Sequence, residues 1–171
     1  MWVARVEEGF VFGGLTPASV ETLKGVPMLL ESNDARVRER LLPETCGTAD
    51  DEAQWRRHAV PELERLFLSR AQVVRRDLAG LRKLPHTDLQ VLLVPNAHCN
   101  AWLAALNAAR LALYVMNDLT AEHLEGDGFT TGSAKQQEAV LRIHLLAEVQ
   151  AVLLGELEIE TVGSFDDFVI E

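Results

Sequence analysis

The stretch AWLAALNAARLALYV, residues 101–115, constrains the fold more than any other part of the chain. Wound at 100° per residue, this helix carries large side chains on one face and alanines on the opposite face. The large residues are Cys99, Trp102, Leu103, Leu106 and Leu113, and the alanines are Ala104, Ala105, Ala108 and Ala112. Small side chains let a neighbouring element approach closely. We therefore expect this helix to be covered on both sides.

The flanking segments predict a mainly α-helical domain with a small antiparallel β-sheet, an α+β fold. The runs WVARV and GFVFGGL meet at a turn over residues 7–9 and read as an N-terminal β-hairpin. The apolar run LQVLLV, residues 89–94, is a candidate third strand for this hairpin. The remaining apolar periodicities predict a bundle of about five to six helices. A chain of 171 residues fits one such domain.

Capping residues and prolines predict the helix boundaries. The first helix starts at Thr16-Pro17, and Pro27 should bend or end it, with a resumption from Met28 to Glu31 as a further option. We expect a basic helix over ARVRERLL, stopped by Pro43, then a helix over residues 52–58 and a separate long helix from about Val60-Pro61 to Leu81. The expected N-caps are Asp50 or Asp51 for the 52–58 helix, Asn96 for the central helix and Thr120 for the helix AEHL. The last helix runs from Ala134 to about Leu154, and Gly155 should end it.

The end of the chain is acidic and apolar, as in ELEIE and DDFVIE. We expect residues 1–157 to form a single helical domain and residues 158–171 to form an acidic C-terminal tail packed on it. A disordered tail that docks on a partner, or on a neighbouring chain, is the alternative. EGDGFTTGS, residues 125–133, reads as a flexible loop.

Charge and hydropathy exclude several function classes. The net charge of −10 disfavours nucleic acid as a partner, because nucleic-acid binding neutralises phosphates with Lys and Arg. Residues 35–83 nevertheless carry 11 basic and 8 acidic residues, so RVRER could contact an acidic partner, although a solvated charged face is the default interpretation. No apolar run reaches the about 20 residues of a membrane span, and the N-terminus has no signal-peptide pattern. The sequence therefore favours a cytoplasmic location without membrane contact.

Two arginines fall on apolar helix faces. On the helical wheel Arg110 lies in the middle of the apolar face of the central helix, with Asn107 and Tyr114 at its edge. Arg70 lies between Leu63 and Leu66 on the long helix, with Asp77 beside it. A buried guanidinium needs partners, so we expect an internal bridge to Asp or Glu that fixes helix packing. The alternatives are an arginine whose head reaches solvent, and an anion site in which Arg70, Arg110 and Asn107 hold a carboxylate or phosphate.

Other candidate chemistry is weak. Cys46 and Cys99 fit free thiols, with a single disulfide as the alternative. His144 and Glu148 stand four residues apart, a spacing that can bind metal but is more often a surface interaction. His98 and Cys99 are adjacent and point about 100° apart, which disfavours a Cys–His nucleophile. The glycines at 9, 13 and 14 form no phosphate loop. The sequence thus predicts no catalytic residue, metal or cofactor.

Three segments carry a resemblance to a known family: RLLPETCGTADDEAQWRR, LERLFLSRAQVVRRDLAGL and AWLAALNAARLALYV. Together they resemble the bacterial family catalogued as domain of unknown function 2017, known chiefly from actinobacteria. The distinctive motif is the signature Trp102, Leu103, Leu106, Asn107, Arg110 and Leu111. This chain departs from the family in having Ala108 where the family usually has Asp, and Tyr114 where it favours Gly. If that Asp pairs with the arginine in relatives, the pairing must be remade here.

The resemblance implies no established activity. Genes of the family often neighbour that of the Clp protease adaptor, which suggests a link to proteolysis or stress. We therefore expect a non-enzymatic accessory or regulatory protein that acts through protein–protein contacts, with a homodimer as a further option. The alternative is a small-anion-binding protein or an enzyme that uses Arg70 and Arg110. A nucleic-acid regulator is a weaker alternative, because the net charge opposes it.

Overall fold

The computed structural model describes residues 1–125, 132–156, 159 and 162–165. Over this part of the chain the fold is mainly α-helical with one small antiparallel sheet, so the predicted α+β class is confirmed. In chain order the elements are β1 (Trp2–Arg5), β2 (Gly9–Leu15), α1 (Pro17–Leu30), α2 (Ala35–Leu41), α3 (Ala49–Leu78), β3 (Arg82–Lys83), β4 (Gln90–Pro95), α4 (Cys99–Met116), α5 (Ala121–Leu124) and α6 (Ala134–Leu153).

The sheet has the strand order β1-β2-β4-β3 with antiparallel neighbours. The predicted N-terminal hairpin and its third strand, LQVLLV, are confirmed. The fourth strand, β3, was not predicted because Arg82 and Lys83 are two exposed cations without an apolar pattern. Gly9 allows the β2–β4 contact, since a Cβ atom there would lie 2.1 Å from the carbonyl oxygen of Val94.

The central helix α4 is covered on both sides, as its sequence predicts. It packs against α1, α2, α3 and α6. Its large residues Trp102 and Leu106 are fully buried. So are Ala105, Ala109 and Ala112, because their small side chains let neighbouring helices approach the backbone.

The position predicted for Arg110 is corrected. Arg110 is half-buried and lies at the edge of the buried arc, next to the exposed Asn107. The helical wheel was centred on the large residues, whereas the alanine side of α4 is buried just as completely. The centre of the buried arc is therefore shifted away from Arg110.

The helix boundaries predicted between residues 50 and 61 were wrong. Residues 49–78 form one helix, α3, rather than two, and Thr48 caps it by accepting a hydrogen bond from the Asp51 N–H, in place of Asp50 or Asp51. Pro61 lies inside α3 on an exposed surface, where water can bind the carbonyl that proline leaves without a donor. Pro27 does not end α1, and the helical continuation predicted from Met28 is found, since α1 runs through Pro27 to Leu30.

Asn96 does not cap α4. Its side-chain Nδ2 instead donates to the carbonyl oxygen of Glu7, at 3.0 Å, and joins the β1–β2 turn to the end of β4. A 3₁₀ turn over Asn96–His98 leads directly into α4. The predicted N-cap Thr120 is confirmed, as is the end of α6 at Gly155, which has a φ of +76°. Most of the predicted loop 125–133 lies outside the described residues.

Residues 162–165 contact the hairpin at the far end of the sheet. The Val162 N–H donates to the carbonyl oxygen of Arg5 at 2.8 Å, and the Glu7 N–H donates to that of Gly163 at 3.2 Å. Phe165 is 6% exposed and lies in a small apolar cluster with Ala4, Val6, Val11 and Val91. The division into a domain of residues 1–157 and a tail stays a prediction, because residues 157, 158, 160, 161 and 166–171 are outside the described part.

Candidate functional site

The signature residue Trp102 belongs to a buried polar cluster between α3 and α4. Its indole Nε1 donates to Asp77 Oδ2 at 2.8 Å. The His98 Nδ1 donates to the same carboxylate, at 2.9 Å from Oδ1 and 3.0 Å from Oδ2. The Asp77 side chain is only 5% exposed. One buried carboxylate therefore satisfies two donors and joins the end of α3 to the start of α4.

This cluster corrects the expected role of Asp77. The sequence placed Asp77 beside Arg70 as a candidate arginine partner, whereas its described partners are Trp102 and His98. An indole N–H that is buried needs an acceptor, and this requirement was the available signal. The sequence could not show which of the chain's 26 acidic residues supplies it.

His98 and Cys99 do not form a nucleophile pair. The His98 ring turns to Asp77, and the Cys99 Sγ donates to the carbonyl oxygen of Pro95, at 3.5 Å. Burial raises the pKa of the Cys99 thiol, which disfavours the reactive thiolate. Cys46 and Cys99 are both free, so the predicted thiols are confirmed and the alternative disulfide is absent.

Arg110 contacts an amide rather than a carboxylate. Its Nη1 donates to Gln150 Oε1 of α6 at 2.8 Å. Its Nε is buried without a hydrogen-bond partner in the described part of the chain, where no carboxylate lies within 4 Å of the guanidinium. The expected internal bridge to Asp or Glu is thus not found there. Gln150 fills the role for which the sequence suggested an acid.

The remaining signature and site residues are not brought to one contact. Arg70 is half-buried, and its guanidinium lies 5.9 Å from the centre of the Phe67 ring on the same helix. Asn107 is exposed, whereas Leu103 and Leu111 are half-buried. None of the described contacts joins Arg70, Arg110 and Asn107 around one ligand, so the anion site stays a prediction.

The two residues of the candidate metal pair lie on the surface, and two arginines of the basic helix form ion pairs. His144 and Glu148 are both exposed on α6, and in the described residues no group of three His, Cys, Asp or Glu side chains could hold a metal ion. In RVRER, Arg36 pairs with Asp34 and Asp118, each at 3.2 Å, and Arg38 pairs with Glu64 of α3. These pairs fasten α2 to its neighbours.

Sequence reasoning did not predict an apolar groove that lies between α1 and α6. Both helices pack on α4, and two adjoining cavities of about 380 and 310 Å³ run between them, sharing Glu21, Thr22 and Arg142. Met28 on the α1 side is 71% exposed and Leu141 on the α6 side is 54% exposed. The apolar lining is completed by Leu29, Leu113, Met116 and Leu145. Exposed apolar residues that follow the helical period on α1 and α6 were the available signal.

The rims of the groove carry both signs of charge. Lys24 lies 3.8 Å from Glu21 on α1, and Arg142 lies 3.5 Å from Glu138 on α6. Apolar walls with a paired polar rim are typical of protein-binding surfaces. Across the described residues, no helix is sufficiently long and apolar to span a membrane.

The comparisons with known proteins identify one family. Its description, Domain of unknown function (DUF2017), matches residues 12–158, from β2 past the end of α6. No curated protein and no solved structure is similar enough to this chain to extend the comparison. Because the match covers most of the chain, including the Trp102–Arg110 signature, the protein belongs to the DUF2017 family.

Proposed function

We propose that this protein is a non-enzymatic accessory protein that binds an amphipathic helix of a partner protein in the groove between α1 and α6. The observation that carries the proposal is an apolar groove made of two adjoining cavities, one lined by Met28 and the other by Leu141, with both side chains more than half exposed. Single exposed apolar side chains are common, but a continuous apolar groove on a protein surface usually marks a binding site.

A helix is the occupant that fits this groove best. The two walls are themselves helices, and α4 forms the floor through Leu113 and Met116. A partner helix that laid its apolar face on this floor would complete a helical layer and bury Met28 and Leu141. Met28 and Met116 suit such a partner, since unbranched methionine side chains adapt to different surfaces. The mixed rim charges can pair with polar residues at the edges of that helix.

The first partner to test is a protein of a proteolytic pathway. The family resemblance suggests a gene neighbourhood with the Clp protease adaptor, so this adaptor and the proteins that bind it are the first candidates. The described contacts of Asp77, His98 and Cys99 support a binding protein over an enzyme, because they satisfy hydrogen bonds inside the fold and none of these residues lines the groove.

The experiment compares two surface variants as bait. The full chain carrying both Met28→Glu and Leu141→Glu is used beside a Leu66→Glu control, which alters a leucine of α3 that is 48% exposed and lies outside the groove. Each bait is incubated with native lysate and, separately, with the purified Clp adaptor. We expect the groove variant to lose at least about tenfold of the captured partner, because burying two carboxylates against an apolar surface is unfavourable. Equal capture by the groove variant and the control would contradict the proposal.

A further inference from the structure

The sheet has an outer face that no helix covers in the described part of the chain. Its inner face packs on the helices through Phe10, Phe12, Leu92 and Val94. On the outer face the strand register sets Ala4 opposite Val11 and Val91 opposite Arg82. These apolar residues form a second cluster, separate from the main core. A sheet with apolar residues on both faces needs a cover on each.

In the described part of the chain, the cover on the outer face is one docked aromatic ring. Within the cluster, Phe165 is the one residue that does not come from the sheet or its turns, and it is 6% exposed. The Arg82 guanidinium lies 4.9 Å from the centre of the Phe165 ring, which is a cation–π distance. Phe165 is thus an anchor in a pocket whose walls are Ala4, Val6, Val11 and Val91.

Backbone contacts beside the ring have the form of a bound peptide. β1 is an edge strand, and the carbonyl oxygen of its last residue, Arg5, accepts a hydrogen bond from the Val162 N–H. In the turn that follows β1, the Glu7 N–H donates to the carbonyl oxygen of Gly163. The Glu8 carboxylate accepts hydrogen bonds from the Ser164 hydroxyl, at 2.6 Å, and from the Phe165 N–H, at 3.3 Å. Edge-strand hydrogen bonds combined with one side-chain pocket are how sheets bind extended peptides.

The attachment of this segment is local and close to solvent. Val162 is 46% exposed, and Glu8 is an exposed carboxylate. Gly163 has a φ of +57°, a conformation that the segment reaches because it has no side chain there. The described residues 162–165 are held by one ring and a few hydrogen bonds close to solvent, so this part opens at a small free-energy cost compared with the core.

We propose that the outer face of the sheet is a peptide-binding site, and that residues 162–165 are its intramolecular competitor. The site binds an extended segment of a partner protein with a Gly-Ser-Phe pattern. The phenylalanine of that segment enters the pocket that Phe165 occupies in this structure. Arg82 adds a cation–π contact to the bound phenylalanine ring. This site is distinct from the α1–α6 groove and does not depend on the function proposed for it.

The test uses a synthetic peptide with the sequence of residues 159–171, labelled with fluorescein at its N-terminus, and the full chain. In the unchanged protein the chain's own segment competes at an effective concentration of about a millimolar, so the peptide should bind weakly. Phe165→Ala empties the pocket and should raise the peptide affinity at least about tenfold. Phe67→Ala removes a phenylalanine from α3 and serves as the matched control, with unchanged weak binding expected.

Two further measurements keep the result interpretable. Gly163→Val strains the docked segment without changing the pocket, so it should give the same gain in affinity and guards against a misfolded Phe165→Ala protein. Adding Arg82→Glu to Phe165→Ala should reverse the gain, and a peptide with Ala in place of its first Phe should not bind.

The proposal is overturned if neither Phe165→Ala nor Gly163→Val binds the peptide more tightly than the unchanged chain. It is also overturned if the unchanged chain dimerises in solution and Phe165→Ala abolishes the dimer, since the occupant would then be a second copy. A gain shown by both tail variants and reversed by Arg82→Glu supports it.

Discussion

Among the residues that contact the family signature, Asp77 connects two helices through hydrogen bonds of its side chain. Its carboxylate is buried and accepts hydrogen bonds from Trp102 and His98, which lie on a different helix. Trp102 itself is fully buried. The signature tryptophan therefore has a polar requirement as well as an apolar one. We infer that Trp102 acts through its position in the core and not through contact with a ligand.

Removing the Asp77 carboxylate should destabilise the protein. Asp77→Ala leaves the Trp102 Nε1 buried without an acceptor, and we expect the free energy of unfolding to fall by about 2–3 kcal/mol. Asp77→Asn keeps an oxygen that can accept from the indole, so it should lose less. Urea unfolding followed by tryptophan fluorescence measures both values. Two variants that both unfold within about 0.5 kcal/mol of the unchanged chain would contradict this role.

The signature helix shows how far sequence reasoning reached at this scale. Its burial on both sides followed from Trp102, Leu106 and the alanines, because helical periodicity fixes which residues share a face. The partners of its polar residues did not follow. Arg110 contacts Gln150, which is 40 positions away, and a wheel of one helix contains no information about the helix beside it.

At the scale of elements, local sequence signals predicted most helix starts correctly but misplaced the boundary at Pro61. Thr16, Asp34 and Ser133 cap α1, α2 and α6 through hydrogen bonds to backbone N–H groups. Pro61 suggested a helix start, yet α3 passes through it. A proline removes one hydrogen bond, which a helix held by tertiary contacts further along can tolerate. The strand β3 has no sequence pattern of its own and forms because β4 offers a free edge.

Two glycine substitutions should change stability in opposite directions. A Cβ atom at Gly9 would lie 2.1 Å from the Val94 carbonyl oxygen, so Gly9→Ala must push β2 and β4 apart and should cost about 2 kcal/mol. Gly25 lies inside α1 with no atom within 4 Å of an added Cβ. Gly25→Ala should therefore stabilise the protein by about 0.5–1 kcal/mol. Thermal unfolding of both variants gives the comparison, and a shift of the same sign in both would refute the close approach at Gly9.

At the scale of the whole molecule, three carboxylates connect elements of the fold, and of these Glu8 is exposed whereas Asp34 and Glu52 are half-buried. A hydrogen bond from Ser164 lowers the pKa of Glu8, which holds residues 164–165 against the hairpin. The Arg36 side chain lowers the pKa of Asp34, the cap of α2. The Thr45 backbone N–H lowers the pKa of Glu52, which holds the loop before α3. All three connections therefore depend on an ionised carboxylate.

This arrangement predicts a loss of stability in acid. Because the folded-state pKa values lie below the ordinary ones, the stabilisation is complete above the ordinary carboxyl pKa and is lost as pH falls through the lowered values. The urea midpoint should decline between about pH 5 and pH 3. A protein carrying Glu8→Gln, Asp34→Asn and Glu52→Gln should show a shallower decline. Identical pH profiles for the two proteins would show that these carboxylates do not contribute.

The single 30-residue helix α3 has one more consequence. At 1.5 Å per residue it is about 45 Å long, yet its buried residues are Ala71, Val74 and Leu78, all in the last third. We expect the amide protons of this last third to exchange with solvent mainly when the whole protein unfolds. Those of the first third belong to a mostly exposed segment and can exchange through fraying. One continuous helix thus spans a gradient of local unfolding free energy, from a labile end beside Thr48 to an end as durable as the core.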